Sequence, residues 1–313
     1  MTRIVDVRPK DLLSGMIGFV ALVLSGCGGG GGQVEVLPAP TFWNLQNSGT
    51  NNTLFGIGNF SGQAVAVGAL GTIVTSPDGI TWTSRSSGTS FHLNGVAASG
   101  ITTIAVGDSG TIISSTDLAS WTPRTSGTTS SLRGVTWTGT RFVAVGDTGT
   151  ILTSPDGTTW TPRTSGTTND LFAAAGNATI IVVVGGGVFT SPDGITWTPR
   201  TSVGGTPVRG VVWSGTQFLA VGAFPTTQTS FDAITWTARN TTTGNTMFAA
   251  AWSGSEFVIV GQFGLNQHSV DGINWTSEDN TIEGTFIGDL NGVTWNGNRF
   301  IAVGPGGRII TTL

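Results

Sequence analysis

The chain of 313 residues has no tyrosine, a single cysteine at Cys27, and no lysine after Lys10. One cysteine excludes an internal disulfide, so packing alone must hold the fold. A chain without lysine beyond its opening has neither a phosphate-loop lysine nor a Schiff-base lysine in its body. Charge is scarce as well: 10% of residues are charged and the net charge is −4, which leaves no basic field for nucleic acid. The glutamates Glu35, Glu256, Glu278 and Glu283 are scattered, and a facing carboxylate pair of the glycosidase kind cannot be assembled from them. His92 and His268 stand far apart with no second histidine at metal-ligand spacing, so no metal and no cofactor is implied.

What the chain has is repetition. The stretch Leu132 to Ser165, LRGVTWTGTRFVAVGDTGTILTSPDGTTWTPRTS, recurs with variations over nearly all of its length. An Ala-Val-Gly signal ends in Gly68, Gly107, Gly146, Gly185, Gly222, Gly261 and Gly304. A turn of the form Ser-Pro-Asp-Gly-x-Thr-Trp supplies the tryptophans Trp82, Trp121, Trp160, Trp197, Trp236 and Trp275, and Trp43 stands one period earlier. The period is about 39 residues, the mark of a repeat architecture. Glycine is abundant, and with serine and threonine it suits short strands joined by tight turns.

Within the reference copy, strands are expected at Leu132–Thr138, Arg141–Val145, Thr150–Thr153 and Thr159–Thr164. Four short strands per period make a small antiparallel sheet, and seven such sheets around an axis make an all-β, seven-bladed β-propeller. Trp43 precedes the first Ala-Val-Gly, whereas Gly304 is followed only by residues 308–313, enough for one more strand. The N-terminal strand is therefore expected to complete the C-terminal blade and close the ring, which leaves no open edge between the first and last blades. This gives one propeller body over residues 41–313.

The turn has its own chemistry. Proline presets a dihedral, aspartate bonds nearby N–H groups and glycine takes a left-handed conformation. Asp78, Asp117, Asp156, Asp193, Asp232 and Asp271 occupy this place and are read as structural, each beside a tryptophan that packs on a neighbouring blade. Arg85, Arg124, Arg163, Arg200 and Arg239 follow those tryptophans by three residues and are read as guards on outermost strands.

Aligned copies bring Phe55, Asn94, Arg133, Phe172, Arg209, Phe248 and Asn291 to one position, immediately before the Gly or Ala that opens each inner strand. A ring of three aromatics, two guanidiniums and two amides at the channel mouth is a candidate binding site for a peptide, a carboxylate or a sugar; wedge-filling between strands is the bland alternative. Phe224 and Phe263, which replace turn residues of the Asp108 and Asp147 type, are further candidates on the same face. The longest departure from the period, residues 277–289, carries Glu278, Asp279, Glu283 and Asp289.

At the start, Arg3, Arg8 and Lys10 precede an apolar run from Leu12 to Leu24 that ends in Leu24-Ser25-Gly26-Cys27. Basic opening, short apolar run and small residues describe a secretory signal over residues 1–26, too short for a permanent span. It resembles the signal of bacterial lipoproteins, and that resemblance implies that Cys27 is acylated and becomes the mature N-terminus. An ordinary signal with an incidental cysteine is the alternative. Residues 27–40 are then a lipidated cysteine and a glycine-rich linker, with a root-mean-square reach of roughly 20 Å. Gly28 in place of an aspartate resembles the pattern of lipoproteins sent to the outer membrane.

The Ser-Pro-Asp-Gly-x-Thr-Trp turn is similar to the Asp-box of bacterial-neuraminidase repeats, one residue shorter between Asp and Gly. Together with Ala-Val-Gly-x-x-Gly-Thr-Ile it resembles the repeats of photosystem II assembly and stability propellers. A sialidase would need a tyrosine nucleophile, which this chain lacks. Taken with the anchor, the leading expectation is a non-catalytic, lipid-anchored envelope platform that binds another envelope or surface protein, which the assembly-propeller resemblance favours, and a monomer is expected. A glycan-binding or glycan-cleaving propeller and a purely structural surface protein are the alternatives.

Overall fold

The computed structural model describes residues 43–203, 207–223, 227–241, 243–278, 281–282 and 284–313. The signal segment, Cys27, the linker and Phe224 lie outside the described residues. Seven four-stranded antiparallel sheets are arranged as the blades of a propeller. In the third blade the strands are Leu132–Trp137, Phe142–Gly146, Ile151–Ser154 and Thr161–Arg163, within two residues of the expected limits at each end. The innermost strand of each blade packs against those of its two neighbours, so the first strands form a closed ring about the axis.

Closure is as the sequence predicts. Trp43–Gln46 pairs antiparallel with Ile309–Thr312 and forms the outermost strand of the seventh blade, whose other strands come from the C-terminus. The Gln46 side-chain amide adds a hydrogen bond to the Thr311 hydroxyl at 3.1 Å. Within the 277–289 departure Thr281–Ile282 pairs antiparallel with Thr285–Phe286, and Asp279 and Glu283 lie outside the described residues.

The core is divided into seven apolar clusters, and each lies between two successive blades. Each cluster receives one of the seven motif tryptophans, which packs on the preceding blade: Trp160 joins Leu132, Phe142 and Leu152 of its own blade to Ile104, Val106 and Ile112 of the second. Every wedge therefore costs two blades if one is lost.

Both sequence signals have a physical cause. A Cβ on Gly107 would collide with the backbone carbonyl of His92, and the equivalent glycine of every other blade meets the equivalent carbonyl. Ala-Val-Gly thus marks where the second strand crosses the entry to the first. At the other end, the Asp156 carboxylate accepts the N–H groups of Thr158 and Thr159, while Ser154 accepts the N–H of Gly157. Trp160 donates its indole N–H to the Gly157 carbonyl at 3.2 Å. The turns of Asp78, Asp117, Asp193, Asp232 and Asp271 repeat the aspartate bonds, and N–H donation holds the carboxyls below the usual range. At Asp271 burial pushes the pKa up, but the donors of Asn274, Ile273 and Ser269 outweigh it and leave the pKa at about 2.

The outer-strand arginines are bonded inward along their own blades. Arg85, Arg124, Arg163, Arg200 and Arg239 each donate Nε–H to a hydroxyl of the third strand, at 2.8–2.9 Å.

Candidate functional site

The connections that enter the first strand and those that join the second to the third share one end of the propeller, which we call the mouth. There the seven aligned positions line a single cavity of about 530 Å³ on the axis. Three tiers descend into it. Phe55, Asn94, Arg133, Phe172, Arg209, Phe248 and Asn291 form the rim. Gly56, Gly95, Gly134, Ala173, Gly210, Ala249 and Gly292 form a narrow second tier, and Ile57, Val96, Val135, Ala174, Val211, Ala250 and Val293 an apolar floor. The small residues are required by close approach: a Cβ on Gly134 would stand 2.5 Å from the Phe172 carbonyl oxygen of the next blade.

A backbone irregularity aims the rim. In six blades the pairing of first and second strands shifts register across one residue, and that residue is the rim position, as between Leu132 and Gly134 or between Val208 and Gly210. A bulged residue leaves the ladder and re-aims its side chain. In the seventh blade Asn291 lies just before the strand Gly292–Trp295.

The seven rim side chains have different neighbours. Asn94 donates both amide hydrogens, to the Asp108 carboxylate and to the Leu132 carbonyl of the next blade, each at 3.0 Å. Asn291 donates to the Leu54 carbonyl of the first blade at 2.8 Å. Both amides thus clamp adjacent inner strands. Arg133 makes a two-pronged pair with Asp147 of its own blade, at 2.6 and 2.8 Å, and this hydrogen-bonded carboxylate raises the guanidinium pKa. Arg209, exposed, stands with its guanidinium carbon 4.9 Å from the centre of the Phe172 ring. It has no ion pair among the described residues, because the residue in the place of Asp147 is Ala223.

The loops around the rim are tied from blade to blade. His92 accepts the Leu70 N–H through Nδ1 at 3.0 Å and packs its ring on Phe55 at 5.8 Å. Asp170 accepts the Thr148 N–H, and Asp289 accepts the Phe263 N–H, in the same manner. The receiving residues Leu70, Thr148 and Phe263 all have φ near +55°, a left-handed state that non-glycine residues seldom take and that pushes their side chains outward. Leu70 and Phe263 are accordingly 63% and 55% exposed, and Phe91, in the next connection to Leu70, is exposed as well.

Sequence reading placed the rim and Phe263 at the mouth but passed over Leu70 and Phe91. Phe263 does not replace the aspartate of this turn: Gln262 and Ala223 stand in the column of Asp108 and Asp147, and Phe263 stands one place later, with Ser109, Thr148 and Leu70, so Leu70 could have been found by alignment. It also passed over a second tryptophan series. Trp137, Trp213, Trp252 and Trp295, at the far ends of inner strands, stack on Phe142, Phe218, Phe257 and Phe300 with centroids 4.3–4.8 Å apart. The structure also gives His268 a setting. It is buried in the third strand of the sixth blade, with Glu256 at 3.5 Å and Glu278 at 3.7 Å. The hydrogen bond that His268 donates to Glu256 raises its pKa against the effect of burial, and the charge of Glu278 adds to the rise. Among the described residues no cluster of three His, Cys, Asp or Glu is disposed to hold a metal ion, and no helix is long and apolar enough to cross a membrane.

These features define a seven-bladed propeller with an axial cavity whose rim is bulged and chemically uneven. No protein-family model matches the chain, and no curated protein matches its sequence. Solved structures do match. YCF48 from Cyanidioschyzon merolae superposes with a TM-score of 0.69 at 16% identity, over 86% of this chain and 98% of that one. A structure of YCF48 bound to D1 peptide gives 0.69 at 16% identity, over 88% and 97%. Virginiamycin B lyase from Staphylococcus aureus gives 0.74 at 10% identity, over 87% and 100%. At such identities the likeness is one of fold.

Proposed function

We propose that the protein is a non-catalytic binding platform, anchored by an acylated Cys27 in the bacterial envelope, which receives a segment of an envelope protein at the propeller mouth. The observation that carries this reading is the rim itself. Six bulges aim side chains at one cavity, and of its two guanidiniums Arg133 is neutralised by Asp147 while Arg209 is left with a phenyl face. An uncommitted guanidinium beside aromatic rings is an anchor for a carboxylate flanked by apolar groups. The structure of YCF48 with a D1 peptide supports a peptide as the kind of ligand this fold accepts. The reading without catalysis draws on the carboxylates of the mouth. Asp108, Asp147, Asp170 and Asp289 each accept a protein donor, so they are held as structural acceptors. The Asp-box likeness of the turns is part of the same reading, as a scaffold element.

Crosslinked affinity capture from native envelopes tests it, with the wild type set beside Arg209→Ala and Arg133→Ala after each is shown to fold. Loss of a charge-assisted contact should lower recovery of the partner about tenfold for Arg209→Ala and much less for Arg133→Ala. Equal recovery from all three would remove the rim from the function. Phe55, Phe172 and Phe248 around the same cavity also favour a sugar-stacking reading, which predicts saturable glycan binding lost in Phe172→Ala.

A further inference from the structure

The mouth has an opposite end, where the aspartate turns lie, and the chain reaches the propeller there. Trp43 is paired with Thr312, the last residue of a third strand, and third strands run from the mouth to the aspartate turns. Trp43, the first described residue, therefore lies at the aspartate-turn end, on the outermost strand of the seventh blade.

That end carries a one-sided apolar arc. In the fourth, fifth and sixth blades the turns expose Ile195, Phe231, Ile234, Val270 and Ile273, with Phe231 at 72% and Val270 at 62% exposure. Ile80 continues the series in the first blade, beyond the seventh. The matching turn positions of the second and third blades are Thr116 and Ala119, and Pro155 and Thr158, so the turn series stops there, while Ile101, in the first hairpin of the second blade, stands exposed at the same end outside it. None of these side chains is needed by the turn, whose bonds are made by serine, aspartate and backbone.

We infer that the aspartate-turn end of the fourth to seventh blades is the surface that rests on the lipid bilayer, with the mouth facing away from it. The inference rests on the anchored reading given above. A glycine-rich tether of this length reaches roughly 20 Å, about the length of a six-residue strand, so turning the mouth to the membrane would use all of it. Cys27 and the arc then meet the same bilayer. The charge pattern selects the kind of lipid. Asp193, Asp232 and Asp271 lie within the arc, and Arg141 donates to the Asp193 carbonyl beside it, so charge of both signs is present without a basic cluster and the surface suits zwitterionic rather than anionic headgroups.

Hydroxyl-radical footprinting of the full chain, held through Cys27 on phosphatidylcholine vesicles, tests the orientation. Phe231, Val270 and Ile273 should be protected about fivefold relative to the chain in solution, while Leu70 and Phe91 at the mouth keep their rates, since apolar side chains settle into the interface. Phe231→Ser/Ile234→Ser should abolish the protection of Val270 and Ile273. Protection at Leu70 and Phe91, or at neither end, overturns the inference. So does equal protection of the arc by a copurifying protein in the absence of vesicles. The mass of the Cys27 peptide reads acylation separately. If it carries no acyl chain, coupling this sole cysteine to a maleimide lipid supplies the tether at the same residue. The footprint then decides the surface while the anchored reading fails on its own.

Discussion

The two ends of this propeller are made from the same repeat and use it in opposite ways. At one end six aspartate turns make the same bonds, to the same backbone groups, with the same tryptophan behind them. At the other, seven equivalent positions hold three residue types with several kinds of neighbour: a clamp at Asn94, a neutralised cation at Arg133, a phenyl-stacked cation at Arg209. Uniformity marks the places where the backbone itself is the partner, since every blade has the same backbone. Variety is tolerated where the partner is a side chain or lies outside the molecule. The contrast between Arg133 and Arg209 shows that the repeat assigns a position, whereas the residue fourteen places later decides whether the guanidinium has a counter-ion.

The largest effect expected from breaking this contrast is on the framework. Gly107→Ala forces a methyl onto the His92 carbonyl, where neither strand can yield without losing pairing. It should lower stability by about 3 kcal/mol or more, seen as a fall in the thermal midpoint. Gly127→Ala, with open space around it and φ +74, should cost only about 1 kcal/mol of left-handed strain. Equal midpoints for the two variants would mean that the strand crossing relaxes freely, and the repeated glycine would lose its explanation.

The framework was legible in the sequence because it is periodic. Blade number, strand limits and closure by Trp43–Gln46 all follow from where Gly and Trp recur, and backbone geometry makes those residues recur. The rim was legible only as a set of positions. Its bulges leave no residue signature, since Leu54, Leu93 and Leu132 read as ordinary strand residues. The neutralisation of Arg133 was within reach, because Asp147 and Ala223 occupy one column of the repeat. The clamps of Asn94 and Asn291 were not, because they cross to another blade and depend on how tightly the inner strands approach. His268, Glu256 and Glu278 were each visible, but three strands of pairing are needed to see them as one group.

A smaller effect sharpens the contrast at the mouth. Asp147→Asn removes the charge that neutralises Arg133 and leaves the guanidinium in place. It should give the rim a second uncommitted cation. Partner recovery in the capture experiment should rise about fivefold, and the salt sensitivity of binding should steepen. Unchanged recovery with an intact fold would show that Arg209 acts through its place in the ring rather than through charge.

The smallest effect concerns the one blade flank that departs from the uniform framework. Five blades join an outer-strand arginine to a third-strand hydroxyl, and the sixth has Glu278 and His268 in those two columns, with Glu256 added. The histidine pKa is raised in the fold, so the folded state holds its proton more tightly than the unfolded chain. The resulting stabilisation, about 1 kcal/mol for a charge-assisted contact, is full below the unfolded value near 6.5 and is lost as pH rises through the higher folded value. Denaturant midpoints should therefore fall over that window in the wild type. His268→Thr/Glu278→Arg restores the pair used by the other blades and should flatten the profile without lowering the midpoint at alkaline pH. A slope that survives the double change would remove His268 from the pH response, and the departure of this flank from the other blades would then carry no proton linkage.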